Sequence, residues 1–299
     1  MSWLETSEPV CAERRGAVPL VVEPRMRDLG GFSVRRVLPA AECRAVGPFV
    51  FFDEMGPTRF APGAGIDVRP HPHIGLSTVT FLFEGEIVHR DSLGFAQAIR
   101  PGEVNLMTAG SGVVHSERTD AAQRASGPRL HGIQSWMALP DSREEIAPAF
   151  EHHPVPSLPA AEIGGVRVRL ILGEAFGLRS PVTSYGRTLY AEVQLPAGGE
   201  LELPREAQIA AYLVEGAAAI GDCALAAHTL AVVGGAARLR SSSASRVMLI
   251  GGDPVGPRHL WWNFVSSSKD RIERAKRDWA NGGFASVPGE TEFIPLPAD

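Results

Sequence analysis

The sequence predicts an all-β protein built from two similar domains in tandem and closed by one C-terminal helix. Three observations predict it: short period-2 runs divided by glycine and proline turns, a segment repeated one domain's length later, and one stretch of helical periodicity near the end.

The strands come first. Residues 32–38 (FSVRRVL) alternate, Gly47-Pro48 marks a turn, and the apolar run 49–52 follows. Strand-like runs recur at 76–84, 86–89, 104–107, 134–138, 166–172, 189–195 and 209–214. Turn signals stand between them at Pro62-Gly63, Glu84-Gly85, Pro101-Gly102, Gly110 to Gly112, Gly164-Gly165, Gly198-Gly199 and Gly251-Gly252. Short strands at this spacing form sandwiches or barrels. The 32 glycines and 24 prolines are spread through the chain rather than massed in one linker, which fits many tight turns.

The repeat comes next. TFLFEG at 80–85 is echoed by AYLVEG at 211–216, roughly 130 residues later, which is the length of a domain. Two tandem β domains are the economical explanation, spanning residues 1–145 and 146–299. The boundary is expected within 140–159, a stretch with five prolines and several charges. The helix follows Ser266, Ser267 and Ser268, which offer N-caps. Ile272, Ala275 and Trp279 fall on one face and are expected to dock on a barrel, with the WWNF run at 261–264 as packing. Asp270 with Arg274 and Glu273 with Arg277 have i,i+4 spacing, Gly282-Gly283 ends the helix, and its charged face is expected to be solvated.

Composition excludes several functions. Hydrophobic residues make up 44% and charged residues 21%, as in ordinary globular proteins. A net charge of -5 with interleaved signs argues against direct nucleic-acid binding, which needs a concentrated basic surface. No apolar run approaches the roughly 20 residues that span a bilayer. The opening MSWLETSEPVCAERR lacks the apolar core of a signal peptide, so a cytoplasmic setting is expected. Cys11, Cys43 and Cys223 are scattered and form no CxxC, which suggests reduced thiols rather than a disulfide framework or zinc ribbon.

The chemistry concentrates in HPHIG at 71–75 and in TAGSGVVHSE at 108–117. Residues i and i+2 of a strand point the same way, so His71 and His73 share one face, as do His115 and Glu117. Pro72 suits a strand edge or start and stiffens the pair. If both strands line one small barrel, four ligands converge. Three imidazoles and a carboxylate suit one divalent transition metal, with iron, manganese, nickel, cobalt, copper and zinc all compatible. The absence of thiolates disfavours a structural zinc site. Four protein ligands around an octahedral ion leave two positions for substrate or dioxygen. One histidine on a strand is more often a hydrogen-bonded core residue than a ligand, but two His-x-His/Glu pairs within one β domain are hard to produce by accident.

The sequence resembles the pirin family of the cupin superfamily. The resemblance is carried by LGGF at 29–32, GPF at 47–49 with Phe52-Asp53, HPHIG at 71–75, FEG at 83–85, HRDSLG at 89–94, Pro101-Gly102, MTAG at 107–110 through HSE at 115–117, and HGIQ at 131–134 with Leu139-Pro140. WNFVSS at 262–267 and FIPLP at 293–297 resemble longer bacterial members. The resemblance implies a bicupin of two tandem cupin β-barrels, with one iron, Fe(II), in the N-terminal barrel on His71, His73, His115 and Glu117. Two departures stand out. Ser77 replaces a frequent glutamate and is expected to alter the surroundings of the ligands, and Leu106 replaces a frequent aromatic residue and is expected to reshape a cavity wall.

The second domain is expected to be metal-free, since His228 there lacks a His-x-His partner. His152, His153 and His259 read as surface residues in Pro/Gly-rich loops. His89 and His131 read as hydrogen-bonding neighbours of the pocket, and Asp53 and Glu86 as residues of its mouth. Two functions follow from the resemblance. The first is a quercetin 2,3-dioxygenase-like oxidoreductase that takes a flavonol and O2, with Glu117 as general base and carbon monoxide released on ring cleavage. The second is a non-enzymatic iron-dependent redox sensor that binds a transcription factor or a metabolic enzyme complex; no motif identifies such a partner.

Overall fold

The computed structural model describes residues 4–6, 16–29 and 31–297; Cys11 lies outside them. The chain forms two tandem β-barrels and a C-terminal helix. In the first barrel a seven-stranded antiparallel sheet runs in the order Ala149–His153, Val104–Thr108, Leu76–Glu84, Arg129–Ala138, Phe49–Arg59, Ser33–Leu38, Arg25–Asp28. It faces a four-stranded sheet of Asp67–His73, Val113–Arg118, Ile87–Asp91 and Ala96–Ile99.

The second barrel repeats this plan. Its large sheet orders Leu20–Val22, Leu230–Val233, Gln208–Glu215, Ser245–Gly252, Thr188–Leu195, Val166–Ala175 and Ala160–Ile163, with Leu178–Arg179 beside Val166–Ala175. Its small sheet orders Glu200–Glu202, Arg238–Ser241, Ala218–Ile220 and Cys223–Leu225. Leu76–Glu84 and Gln208–Glu215 thus hold the same third position, which is the structural meaning of the TFLFEG and AYLVEG echo.

One strand from each half of the chain pairs with the other half's large sheet. Leu20–Val22 pairs with Leu230–Val233 of the second sheet, and Ala149–His153 pairs with Val104–Thr108 of the first. His152 and His153 therefore lie half-buried on a strand and not in a surface loop, and His259 likewise lies half-buried within Arg258–Trp261. The prolines around 148–159 delimit the edge strand Ala149–His153 rather than prevent it.

One apolar cluster joins the barrels, with Phe52, Val79, Phe81, Leu106 and Ile133 from the first and Tyr190, Tyr212, Met248 and Ile250 from the second. Leu106 thus packs between the barrels and not on the histidine side, because Met107, one residue on, takes the other face beside Phe51 and Trp136. Ser77 shares the parity of Val79 and bonds Thr108 (3.0 Å), away from the histidines. The second barrel's interior is filled by Leu201, Leu213, Ile220 and Leu239.

The helix Lys269–Ala280 is capped by Ser268, whose side chain accepts from the Arg271 amide, and buries Ile272 and Ala275. They pack with Ile74, Trp261 and Phe264, so the helix docks on the first barrel beside the His71 strand. Its charges pair differently from the i,i+4 expectation: Glu273 reaches Lys276 (2.9 Å), and Arg271 reaches Glu145 (2.6 Å) and the Ser111 carbonyl (2.6 Å). Part of the charged face is thereby docked rather than solvated, because the Asp141–Arg143 turn and its following residues come up against it. Buried Arg258 adds a second tie, donating to the Leu139 carbonyl (2.9 Å) and pairing with Glu144 (2.8 Å).

Candidate metal centre

Three strands of the small sheet build the site, lying antiparallel in the order Asp67–His73, Val113–Arg118, Ile87–Asp91. His115 stands opposite His71 on one side and Asp91 on the other, and Glu117 stands opposite His89. Residues directly opposite share a face. One interior face therefore gathers three i,i+2 pairs, His71 with His73, His89 with Asp91, and His115 with Glu117, and all six are buried.

The ligand atoms of His71, His73 and His115 lie within 4.8 Å of one another. His73 Nε2 and His115 Nε2 are 3.1 Å apart. The other ring nitrogens are engaged elsewhere. His71 Nδ1 donates to the Arg69 carbonyl (2.9 Å), His73 Nδ1 donates to the Asn263 carbonyl (3.1 Å), and His115 Nδ1 meets His89 Nδ1 (3.3 Å). A carbonyl only accepts, so His71 and His73 carry their hydrogen on Nδ1 and present Nε2 lone pairs inward. Lone pairs converging in a buried site are the donor set of a cation, and imidazole nitrogen suits the divalent transition metals. The residues fit such an ion.

Electrostatics agree. Burial, then the neighbouring imidazoles, holds His73 and His115 well below the ordinary histidine range, and burial pushes His71 down to about 4. All three are neutral near pH 7, the form that ligates. Glu117 moves the other way: burial raises its carboxyl, while hydrogen bonds from Gln134 oppose the rise. Gln134 Nε2 donates to both carboxylate oxygens (2.8 and 2.9 Å). Glu117 therefore shares the face but not the 4.8 Å group, which comprises the three histidines.

Aromatic slabs border the imidazoles. Trp136 stacks on Phe51 (3.9 Å between centroids, 9° apart) and meets His73 edge-on at 5.0 Å. His89 stacks on Phe150 at 4.4 Å. Asp53 holds Arg36 through two bonds of 2.8 Å, and Arg36 lies 4.3 Å over the Phe51 ring. Glu86 pairs with Arg100 (2.8 Å). His131 and His228 lie elsewhere, both donating to Glu54 (2.8 and 2.7 Å).

Sequence reasoning singled out neither Asp91 nor Gln134, and it missed the Asn263 carbonyl and Phe150. Asp91 had a signal, since His89-x-Asp91 repeats the spacing of the ligand pairs. The other three reach the site through cross-strand and long-range contacts that leave no local pattern.

Two antiparallel β-barrels in tandem, one lined by inward histidines and the other filled by apolar side chains, define a bicupin with a metal-type centre in its first barrel. The Pirin family profile matches residues 31–137, and the profile of the Pirin C-terminal cupin domain matches 190–285. The chain is 51% identical over 288 residues to a pirin-like protein of Caulobacter vibrioides, covering 94% of this chain and 99% of that one. It is 39% identical to a putative quercetin 2,3-dioxygenase of Pseudomonas aeruginosa, covering 91% and 87%. A crystal structure of quercetin 2,3-dioxygenase from Acinetobacter baumannii superposes with a TM-score of 0.87 at 33% identity, covering 93% of this chain and 95% of that one. The chain belongs to the pirin family.

Proposed function

We propose that this chain is a metal-dependent dioxygenase of the quercetin 2,3-dioxygenase type, opening the heterocycle of a flavonol with O2 in the cytoplasm. The observation that carries the reading is the set of three buried, neutral imidazoles with inward Nε2 atoms beside a buried carboxylate. Relatives bearing that activity in their names support it. A divalent metal, Fe(II) in this reading, on His71, His73 and His115 with Glu117 as fourth donor, would supply Lewis acidity and two open positions, for a flavonol's hydroxyl–carbonyl edge or for dioxygen.

The protein's own groups do the rest. Glu117 Oε takes the flavonol hydroxyl proton, a role that its burial-raised carboxyl suits. Gln134 steadies that carboxylate until it is used. Flat walls of Trp136 with Phe51, and of His89 with Phe150, suit a planar polyphenol by offset stacking.

The test is oxygen uptake by metal-loaded protein with quercetin. Turnover is expected, with Glu117→Gln losing about 100-fold or more while still retaining metal. Absence of turnover in protein loaded in turn with iron, manganese, nickel, cobalt, copper and zinc would discard the enzyme and leave the iron-dependent regulator.

A further inference from the structure

The Ile87–Asp91 strand brings to the metal-site face a histidine and a carboxylate that neither the ligand set nor the proton transfer uses. We propose that Asp91 and His89 form a positioning relay that fixes the tautomer of His115 and aims its Nε2 at the metal. The proposal rests on the three-histidine centre argued above.

The distances define a chain of bonds from Asp91 to His115. Asp91 is fully buried, and its Oδ1 accepts from the backbone amides of Leu93 (2.9 Å) and Phe95 (3.1 Å). Its own turn therefore clamps the carboxylate. Asp91 Oδ2 lies 2.9 Å from His89 Nε2. A carboxylate so held is an acceptor, so His89 carries hydrogen on Nε2. His89 is taken as the neutral imidazole, whose single N–H on Nε2 leaves Nδ1 as an acceptor. That nitrogen is 3.3 Å from His115 Nδ1, which must donate. His115 Nε2 is then a lone pair, and it is the atom 3.1 Å from His73 Nε2.

His71 and His73 reach the same tautomer through backbone carbonyls. His115 uses the relay in place of a carbonyl. The relay is itself oriented from a second direction, because the His89 ring lies on Phe150 with 16° between planes. Groups that hold the second nitrogen of a ligating histidine set its ring angle and its basicity.

The experiment compares zinc and cobalt binding to the full chain and to His89→Phe, which keeps an aromatic ring against Phe150 and removes both nitrogens. Chelator competition should show affinity lowered about ten- to a hundred-fold. The unfolding midpoint of the metal-free protein should fall as well, because Asp91 Oδ2 loses its partner, so affinities are compared where both proteins are folded. His89→Gln, whose Oε1 can accept from His115 Nδ1–H, should recover part of the loss. Nitrogen NMR of the metal-free wild type should find the His115 proton on Nδ1. Undiminished affinity in His89→Phe, or a His115 proton on Nε2, overturns the relay and leaves the centre standing. A wild-type chain that takes up neither metal overturns the centre and the relay with it. Should His89→Phe fail to fold, the His115 tautomer in the wild type decides alone.

Discussion

At the scale of single residues, the site stores a conflict between burial and protonation. His71, His73 and His115 are removed from water with no carboxylate bonded to any of them among the described residues, so the folded chain resists protonating them. An unfolded chain has no such resistance and takes up protons near pH 6.5. The unfolded state therefore binds more protons between about pH 6.5 and the depressed folded values, which for His71 lie at about 4. Stability is complete above the upper limit and falls as pH drops through this window. Metal-free protein should show a lower urea midpoint at pH 5 than at pH 7.5, and His71→Gln should flatten that dependence. Equal midpoints at both pH values would mean that the imidazoles are hydrated or charged in the fold.

At the scale of elements, the C-terminal strap completes the centre from outside the barrel's own strands. The turn between Trp261 and Phe264, where Trp262 takes a positive φ of 53°, presents the Asn263 carbonyl to His73. Strand Phe264–Ser266 then runs against the turn that follows the ligand pair. A Cβ on Gly75 would stand 2.0 Å from the Val265 carbonyl oxygen, and Gly75 itself has φ +67°. Gly75→Ala should thus cost on the order of 2 kcal/mol and also weaken metal binding, because moving Val265 drags Asn263 from His73. Calorimetry with and without zinc checks both, and a variant that loses stability but keeps full affinity would detach the strap from the site. The same geometry explains what was legible in the sequence. His71 with His73 and His115 with Glu117 could be read because i,i+2 parity is local to one strand. The expectations for Ser77 and Leu106 rest on the resemblance and not on parity. Ser77 lies beyond the Gly75 turn, through which parity does not carry, and it bonds Thr108, while Leu106 packs against the second barrel. Gln134 and Asn263 depend on register and on a segment far along the chain, and neither leaves a periodic trace.

At the scale of the whole molecule, the two barrels meet across an apolar core that encloses a buried acid, Glu54. Glu54 lies on Phe49–Arg59 of the first barrel and has no exposure. It accepts from His131 Nε2 (2.8 Å) in its own barrel, and from Tyr212 Oη (2.8 Å) and His228 Nδ1 (2.7 Å) in the second. Arg35 approaches at 3.5 Å. His228 takes a positive φ of 67° in the turn that delivers it. A buried carboxylate is costly to desolvate, and only its full complement of donors offsets that cost. Glu54→Gln preserves shape but turns one acceptor into a donor facing donors already in place. It should destabilise the chain by roughly 2–4 kcal/mol, more than Tyr212→Phe at about 1 kcal/mol. Because the residues share one hydrogen bond, the double variant should lose less than the sum of the two single variants. Urea unfolding of the four proteins measures this directly. Strict additivity would mean that the Glu54–Tyr212 bond contributes nothing to joining the barrels, and that the apolar cluster alone holds the first barrel on the second.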